Sequence, residues 1–438
     1  MSNSRLRGGL AHALRTLALT TSASLLCVGA SGLAFAQSVA AQEAPLALDD
    51  ALNRAITHDP GLRAAQAGVD AAHGGRLSAR ARPNPELGIE IENFNGPGEL
   101  RGFNSAETTF SLSQELELGG QRSARIAVAE YELQGAALDR AIRGLDLIRD
   151  VQIAYFTALA AQEQAEIERE RLRTAEALHA SVARRVAAAR DPLMAGARAQ
   201  ASLAEARIAV TRTEAQAANA RAHLASYWGG DESFTLIIAD FALPRAEAHT
   251  HEAPSEAHPD LARLAATRDA AGAQTRLERS LAFQNPTLSF GYRRFEDHNG
   301  DGALMAGISI PLGVNNRNRG AIARAEAEQR RARYDMEAAR QTLTREFAAT
   351  TRARDADARA VAALEDDVIP QAERALALAQ DGYNRGAFSY LDVLDAQRAL
   401  SDARATRVEA LLSFHINEAA LDRLTARFAN APIAETIP

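Results

Sequence analysis

The sequence predicts a mainly α-helical chain that carries four β-strands and is built as a duplication. Three observations carry this. Of its 438 residues 47% are hydrophobic yet only 5% aromatic, and alanine, arginine, glutamate and glutamine fill long stretches, so helix packing supplies most of the mass. Against that background "NPELGIEIENF", Asn84 to Phe94, alternates Leu87, Ile89 and Ile91 with Glu86, Glu90 and Glu92, the period of a half-buried strand. The pattern then returns as "NPTLSFGYRRF", with Pro286 in place of Pro85, 201 positions later.

The N-terminus is a separate object. Arg5, Arg7 and Arg15 precede an uncharged stretch from Leu17 that ends in Ala34-Phe35-Ala36, which reads as a secretory signal peptide over residues 1–36. Its removal takes the formal charge from −7 to −10 and removes Cys27, the single cysteine, so the mature chain has no thiol for disulfide or redox chemistry. No other uncharged apolar run reaches the length of a spanning helix. An exported chain of this kind is either soluble outside the inner membrane or crosses an outer membrane as strands. Net acidity argues against nucleic acid as a partner.

The duplication covers nearly all of the mature chain. "HDPGLRAAQAGVDAA" from His58 is echoed by "HPDLARLAATRDAA" from His258, and the paired NP strands follow. "LSQELELGGQRSARIAVAE" from Leu112 is answered by "ISIPLGVNNRNRGAIARAE" from Ile308, and "AQASLAEAR" from Ala199 by "AQRALSDAR" from Ala396. The offsets stay between 196 and 201 and keep their order. Each half therefore reads helix, strand, loop, strand, very long helix, tight turn, helix: 47–82, 86–94, 106–118, 122–190 and 197–228, then 257–283, 287–295, 303–313, 319–384 and 389–427. The repeats occupy 37–230 and 257–427, joined by a linker over 231–256 with a short strand near Phe234 to Ile238; residues 428–438 form a tail.

The long helices set the scale. From Arg319 to Gln380 the only proline is Pro370, and an uninterrupted helix of that length spans roughly 90 to 100 Å. Pro370 predicts a kink or a local break. Leu138, Ile142, Leu145, Ile148, Val151, Tyr155 and Leu159 step at 3.5 residues on average, a left-handed coiled-coil seam. Each strand is close to the length that crosses a bilayer when tilted, and Phe110, Leu112, Leu116 and Leu118 alternate with Ser111, Ser113, Glu115 and Glu117. Four strands alone in lipid would leave open edges. Several chains must pool theirs into one closed barrel.

These segments resemble a TolC-type outer-membrane efflux factor, over essentially the whole mature chain. The most specific pieces are the duplication, the NP strands, "LELGGQR" and "ISIPLGVNNRNRGAIARAEAE" opening the two long helices, and "YNRGAFSYLDVLDAQRAL" at the second turn. They are most similar to the cobalt-zinc-cadmium branch. The resemblance implies a homotrimer whose 12-stranded β-barrel in outer-membrane lipid continues as an α-helical barrel in the periplasm. It also implies a periplasmic adaptor (membrane fusion) protein at the hairpin tips and an inner-membrane, proton-driven RND-type pump behind it, with no cofactor. Duct service for multidrug or general type I export is the alternative cargo; a secreted coiled coil without a channel is the structural alternative.

Site expectations follow. Gly386 can end the descending helix and Ser389 with Asp392 has capping-box spacing. By resemblance Arg385, Gly386 and Ala387 sit at the tip that meets the adaptor, with Arg190, Asp191 and Pro192 at the first tip. Asp392 and Asp395, one helix face apart by three residues, match acidic positions that ring the periplasmic entrance and attract cations; from spacing alone both equally serve the helix N-terminus. Ala195 and Arg198 stand at their places in the first hairpin. In "EDHNGDGAL" the residues Asp297, Asn299, Asp301 and Gly302 match half of an EF-hand loop, but Ile308 replaces the closing glutamate, and an extracellular hairpin loop is the plainer reading. His249, His251 and His258 lie among Glu247, Glu252 and Glu256; they are either loose ligands for divalent ions or a solvated linker. No HExxH, P-loop or nucleophile elbow is found, so an enzyme is not expected.

Overall fold

A computed structural model describes residues 44–243 and 251–429. The signal peptide, His249 and the end of the tail lie outside the described residues. The chain opens with a short strand β1 (Ala44–Leu46) and two helices, α1 (Leu48–His58) and α2 (Pro60–Arg80). The single helix expected over 47–82 is split at Asp59. Its carboxylate accepts the Leu62 N–H at 2.8 Å, and Pro60 takes a first-turn position that needs no N–H.

Strands β2 (Glu86–Glu92) and β3 (Glu107–Glu115) precede α3 (Gln121–Ala187), 67 residues and about 100 Å long, which turns into α4 (Leu193–Ser226). After β4 (Phe234–Leu236) the second repeat gives α5 (Pro259–Ser280), β5 (Thr287–Phe295), β6 (Gly302–Ser309) and α6 (Arg319–Ala363). One π-helical turn, Leu364–Val368, leads directly into α7 (Ile369–Arg385), and α8 (Tyr390–Leu424) returns. The wide turn ends just before Pro370. Its extra residue relieves the clash between the ring and the preceding carbonyls, so the helix continues past the proline.

Alanine and a buried seam hold the helices together. Leu145, Ile148, Val151, Tyr155 and Leu159 of α3 are buried, whereas Leu138 and Ile142 at the start of the predicted seam are half-buried. Around this seam α1, the end of α4, the middle of α8 and the β1–β4 pair close one core. The pair is parallel, Ala44 opposite Phe234. Tyr155 is its pin: fully buried, its hydroxyl reaches Leu46 O at 3.0 Å and Asp240 Oδ2 at 2.9 Å. A second core joins the two hairpin ends, with Val182 and Ala199 from one against Tyr383, Tyr390 and Val393 from the other.

The four remaining strands form one antiparallel sheet in the order β2-β3-β5-β6. Cross-repeat pairing of β3 with β5, Phe110 opposite Tyr292, unites the duplicated hairpins. Among the described residues β2 and β6 each have a partner on one side only.

Candidate functional site

The second hairpin turn is built by a glycine and a cap. Gly386 takes φ 83° at the end of α7 and the N–H of Ala387 reaches Gly382 O at 2.8 Å, closing the last turn. A methyl group on Gly382 would collide with the Phe388 ring. Asp392 folds back on Ser389: its Oδ2 accepts from the Ser389 N–H and hydroxyl, both at 2.7 Å. Those two donors hold its carboxyl below the usual carboxylate range. The capping role expected from spacing is thus realised, and Asp395 stands exposed one turn along. Arg385 pairs with Asp381 of the preceding turn, and Ala387 is exposed.

The first turn has Ala189 at the place of Gly386. Ala189 nevertheless adopts φ 53°, a left-handed conformation that costs a residue with a Cβ roughly 1–2 kcal/mol. Arg190 and Pro192 are exposed. Asp191 is half-buried, and its carboxylate is engaged inside the tip. Arg185 of α3 grips it with two bonds of 3.1 Å, and the Tyr383 hydroxyl of α7 donates to its Oδ2 at 2.6 Å. Arg185 also donates to Tyr383 O at 3.0 Å and lies over the Tyr383 ring, 4.6 Å from its centre. This clasp ties the first hairpin to the second. The guanidinium holds the Asp191 carboxyl below the usual range, while burial, then the neighbouring carboxylate, push the Tyr383 phenol up.

Apolar residues at the tips escaped sequence reasoning. Leu193 is 83% exposed, and Met194, Phe388 and Leu391 are also largely open. The signal was available, since Leu193 and Phe388 directly follow turn residues and Met194 and Leu391 lie in the first turns of α4 and α8, where polar side chains are the norm.

The sheet separates two chemistries. On one face Leu87, Ile89 and Ile91 lie beside Leu112 and Phe110, which lie beside Phe290 and Tyr292, which lie beside Ala306 and Leu304. These large side chains are exposed, Ile89 by 62% and Leu304 by 88%, an apolar surface of a kind that water does not tolerate over such an area. The other face carries Glu86, Glu90, Glu92, Glu107 and Glu115 against one base, Arg293. Arg293 bonds Glu107 at 2.7 Å and Glu92 at 3.0 Å near the loop end of the sheet. Among the described residues no helix is long and apolar enough to cross a membrane.

The outer membrane efflux protein family model matches residues 51–230 and 254–427. This chain belongs to that family. As an outer membrane efflux protein it lies in the outer membrane of a Gram-negative cell, with its long helices reaching into the periplasm. It is 30% identical to the cobalt-zinc-cadmium resistance protein CzcC of Cupriavidus metallidurans, across 87% of this chain and 90% of that protein. It is 29% identical to the nickel-cobalt-cadmium resistance protein NccC of Alcaligenes xylosoxydans xylosoxydans, across 74% and 75%. The fold is also that of CusC, with a TM-score of 0.74 at 20% identity over 86% of this chain and 91% of CusC. VceC from Vibrio cholerae gives 0.71 at 20% identity over 86% and 95%.

In this efflux protein the two described linker histidines have different fates. His258 caps α5: Nδ1 accepts the Asp260 N–H at 3.2 Å and Nε2 faces Arg423 O at 3.3 Å. Both nitrogens are engaged, and burial holds its pKa below the usual histidine value. His251 instead meets Glu418 at 2.8 Å. The EF-hand-like stretch is a hairpin turn, with Asn299 and Gly300 at positive φ and Gly302 already in β6.

Proposed function

We propose that three copies of this chain close a 12-stranded barrel, β6 of each pairing with β2 of the next, and that the helices extend it as a periplasmic duct. The observation that carries this is the four-stranded sheet with an apolar outer face and two half-paired edges, a structure lipid accepts only when closed. The duct gives divalent heavy-metal cations a passive exit; an RND-type inner-membrane pump drives them and a periplasmic adaptor seals the joint. Two things support that cargo: the metal-resistance relatives, and a lumenal strand face rich in glutamate, which favours cations. Arg190, Pro192, Arg385, Gly386 and Ala387, together with exposed Leu193, Met194, Phe388 and Leu391, supply the docking surface for the adaptor.

A strain lacking the gene is expected to become hypersensitive to cobalt, zinc, cadmium or nickel and to retain more of the metal, with recovery on return of the wild-type gene. Sensitivity to lipophilic drugs alone would move the duct to a general export system.

Asp392 and Asp395 gather as six carboxylates about the threefold axis and form the gate. Because Asp392 also caps α8, Asp395→Asn isolates the electrostatic part. In planar bilayers Asp395→Asn is expected to weaken block by multivalent cations several-fold, and the double replacement by asparagine to weaken it further. Unchanged block and conductance in both would leave Asp392 with its capping role only.

A further inference from the structure

Far from the tips, a buried polar cluster forms where the linker returns to α8. The His251 imidazole is 4% exposed, with Nε2 at 2.8 Å from Glu418 Oε1 and Nδ1 at 4.0 Å from Asp422 Oδ1. One ligand atom from each of the three lies within 4.8 Å of the others, the one such grouping among the described residues. Gln152 of α3 reaches the same carboxylate. Its Nε2 donates to Asp422 Oδ2 at 3.1 Å, while its Oε1 is buried and has no partner. A buried amide oxygen left unsatisfied is costly, and turning the amide end for end leaves its shape unchanged while presenting that oxygen to the cluster.

We propose that His251, Glu418, Asp422 and the Gln152 amide oxygen bind one divalent transition-metal ion of the zinc, cobalt or nickel class, tying the linker to α8 and α3. An imidazole combined with carboxylates suits these ions, whereas calcium and magnesium take oxygen ligands alone. Bonds of about 2.0–2.2 Å set neighbouring donors about 3–3.5 Å apart, so donors that now spread over as much as 4.8 Å have to draw together by roughly 1.3–1.8 Å, with a single imidazole nitrogen serving the ion. Two arginines neutralise the carboxylates when no ion is held, Arg354 at 3.3 Å from Glu418 and Arg427 at 3.1 Å from Asp422. Both have somewhere else to go: Arg354 keeps Asp355 at 2.7 Å, and the Arg427 side chain is 38% exposed. The ion would take that oxygen as a ligand in exchange for the Nε2–Asp422 bond, and it is distinct from the cargo. The site therefore stands whether or not the exported substrate is a metal.

The test uses the protein purified in detergent, freed of its affinity tag and stripped with chelator, then titrated with cobalt(II) or zinc(II) alone. One cobalt per chain with visible ligand-field bands is expected, at least tenfold weaker in His251→Ala and in the near-isosteric Glu418→Gln, and unchanged in His249→Ala. Zinc should raise the unfolding temperature of the wild type but not of Glu418→Gln, a readout that needs no comparison of folding yields. Binding equal in wild type, His251→Ala and Glu418→Gln, binding lost on His249→Ala alone, or no bound ion at all would each overturn the site. None of those results touches the exit-duct reading, which the deletion strain tests separately.

Discussion

Asp191→Asn is expected to raise the open probability of the channel sharply, and Tyr383→Phe to do so less. The clasp joins α3 to α7 at the hairpin tips, so it opposes any movement of one hairpin away from the other. Replacing the carboxylate with an amide removes the charge from the pair and leaves one acceptor oxygen where Arg185 had two, while the bond to Tyr383 O and the ring contact remain. Hydrogen bonds to charged groups are worth about 1.5–3 kcal/mol each, and with both side chains only 12% and 21% exposed a net loss of about 2–3 kcal/mol is reasonable. That shifts a closed–open equilibrium by roughly 30- to 150-fold. Tyr383→Phe removes one of those bonds and leaves the ion pair, so its effect falls nearer tenfold. Single-channel recording checks both, with Arg190→Gln as the control at an exposed neighbour. Equal open probability in Asp191→Asn and wild type would remove the clasp from gating.

The same cluster fixes a pH window. The Asp191 carboxyl is depressed in the folded state, so its contribution is fully present above the unfolded carboxylate value of about 3.9 and is lost as pH falls through the lower folded value. The Tyr383 phenol is raised, so the folded state favours its protonated form and loses that advantage only above the unfolded value of about 10. Between those limits the clasp does not titrate. Acid opening of the channel near pH 5 or 6 would have to come from other groups.

Why the sequence revealed some of this and hid the rest has a physical answer. Strand alternation and helix period are local, and the duplication shows them twice, so β2, β3, β5 and β6 fall within a few residues of their expected spans. The Ser389–Asp392 cap and the accommodation of Pro370 are local too. The clasp is not: Asp191 and Tyr383 lie 192 positions apart, and nothing in either turn shows that its partner belongs to the other repeat. Of the β1–β4 pair, the linker strand near Phe234 was legible, whereas β1, at Ala44–Leu46, has too few residues to show a period and its partner lies across the first repeat. The linker histidines looked alike in sequence. Burial separated them, since His258 spends both nitrogens on backbone groups while His251 faces two carboxylates.

Ile89→Arg is expected to prevent assembly in the outer membrane, whereas Glu90→Arg, one residue on, is expected to permit it. Ile89 is the central residue of β2 and projects from the apolar face opposite Phe110. Arginine near the bilayer midplane costs a barrel about 2–4 kcal/mol, and a trimer incurs that three times. The total is comparable to the whole stability of many domains. β2 is also an edge of the single-chain sheet, so the damage falls where one chain must pair with the next. Glu90 points to the opposite face, where water fills the lumen and a charge change alters ion preference instead of insertion. Quantifying crosslinked trimers in outer-membrane fractions, with reversal potentials for whatever assembles, separates the two faces. Wild-type levels of Ile89→Arg trimer, or equal loss from both replacements, would mean that the exposed apolar face does not meet lipid and that the sheet closes in some other way.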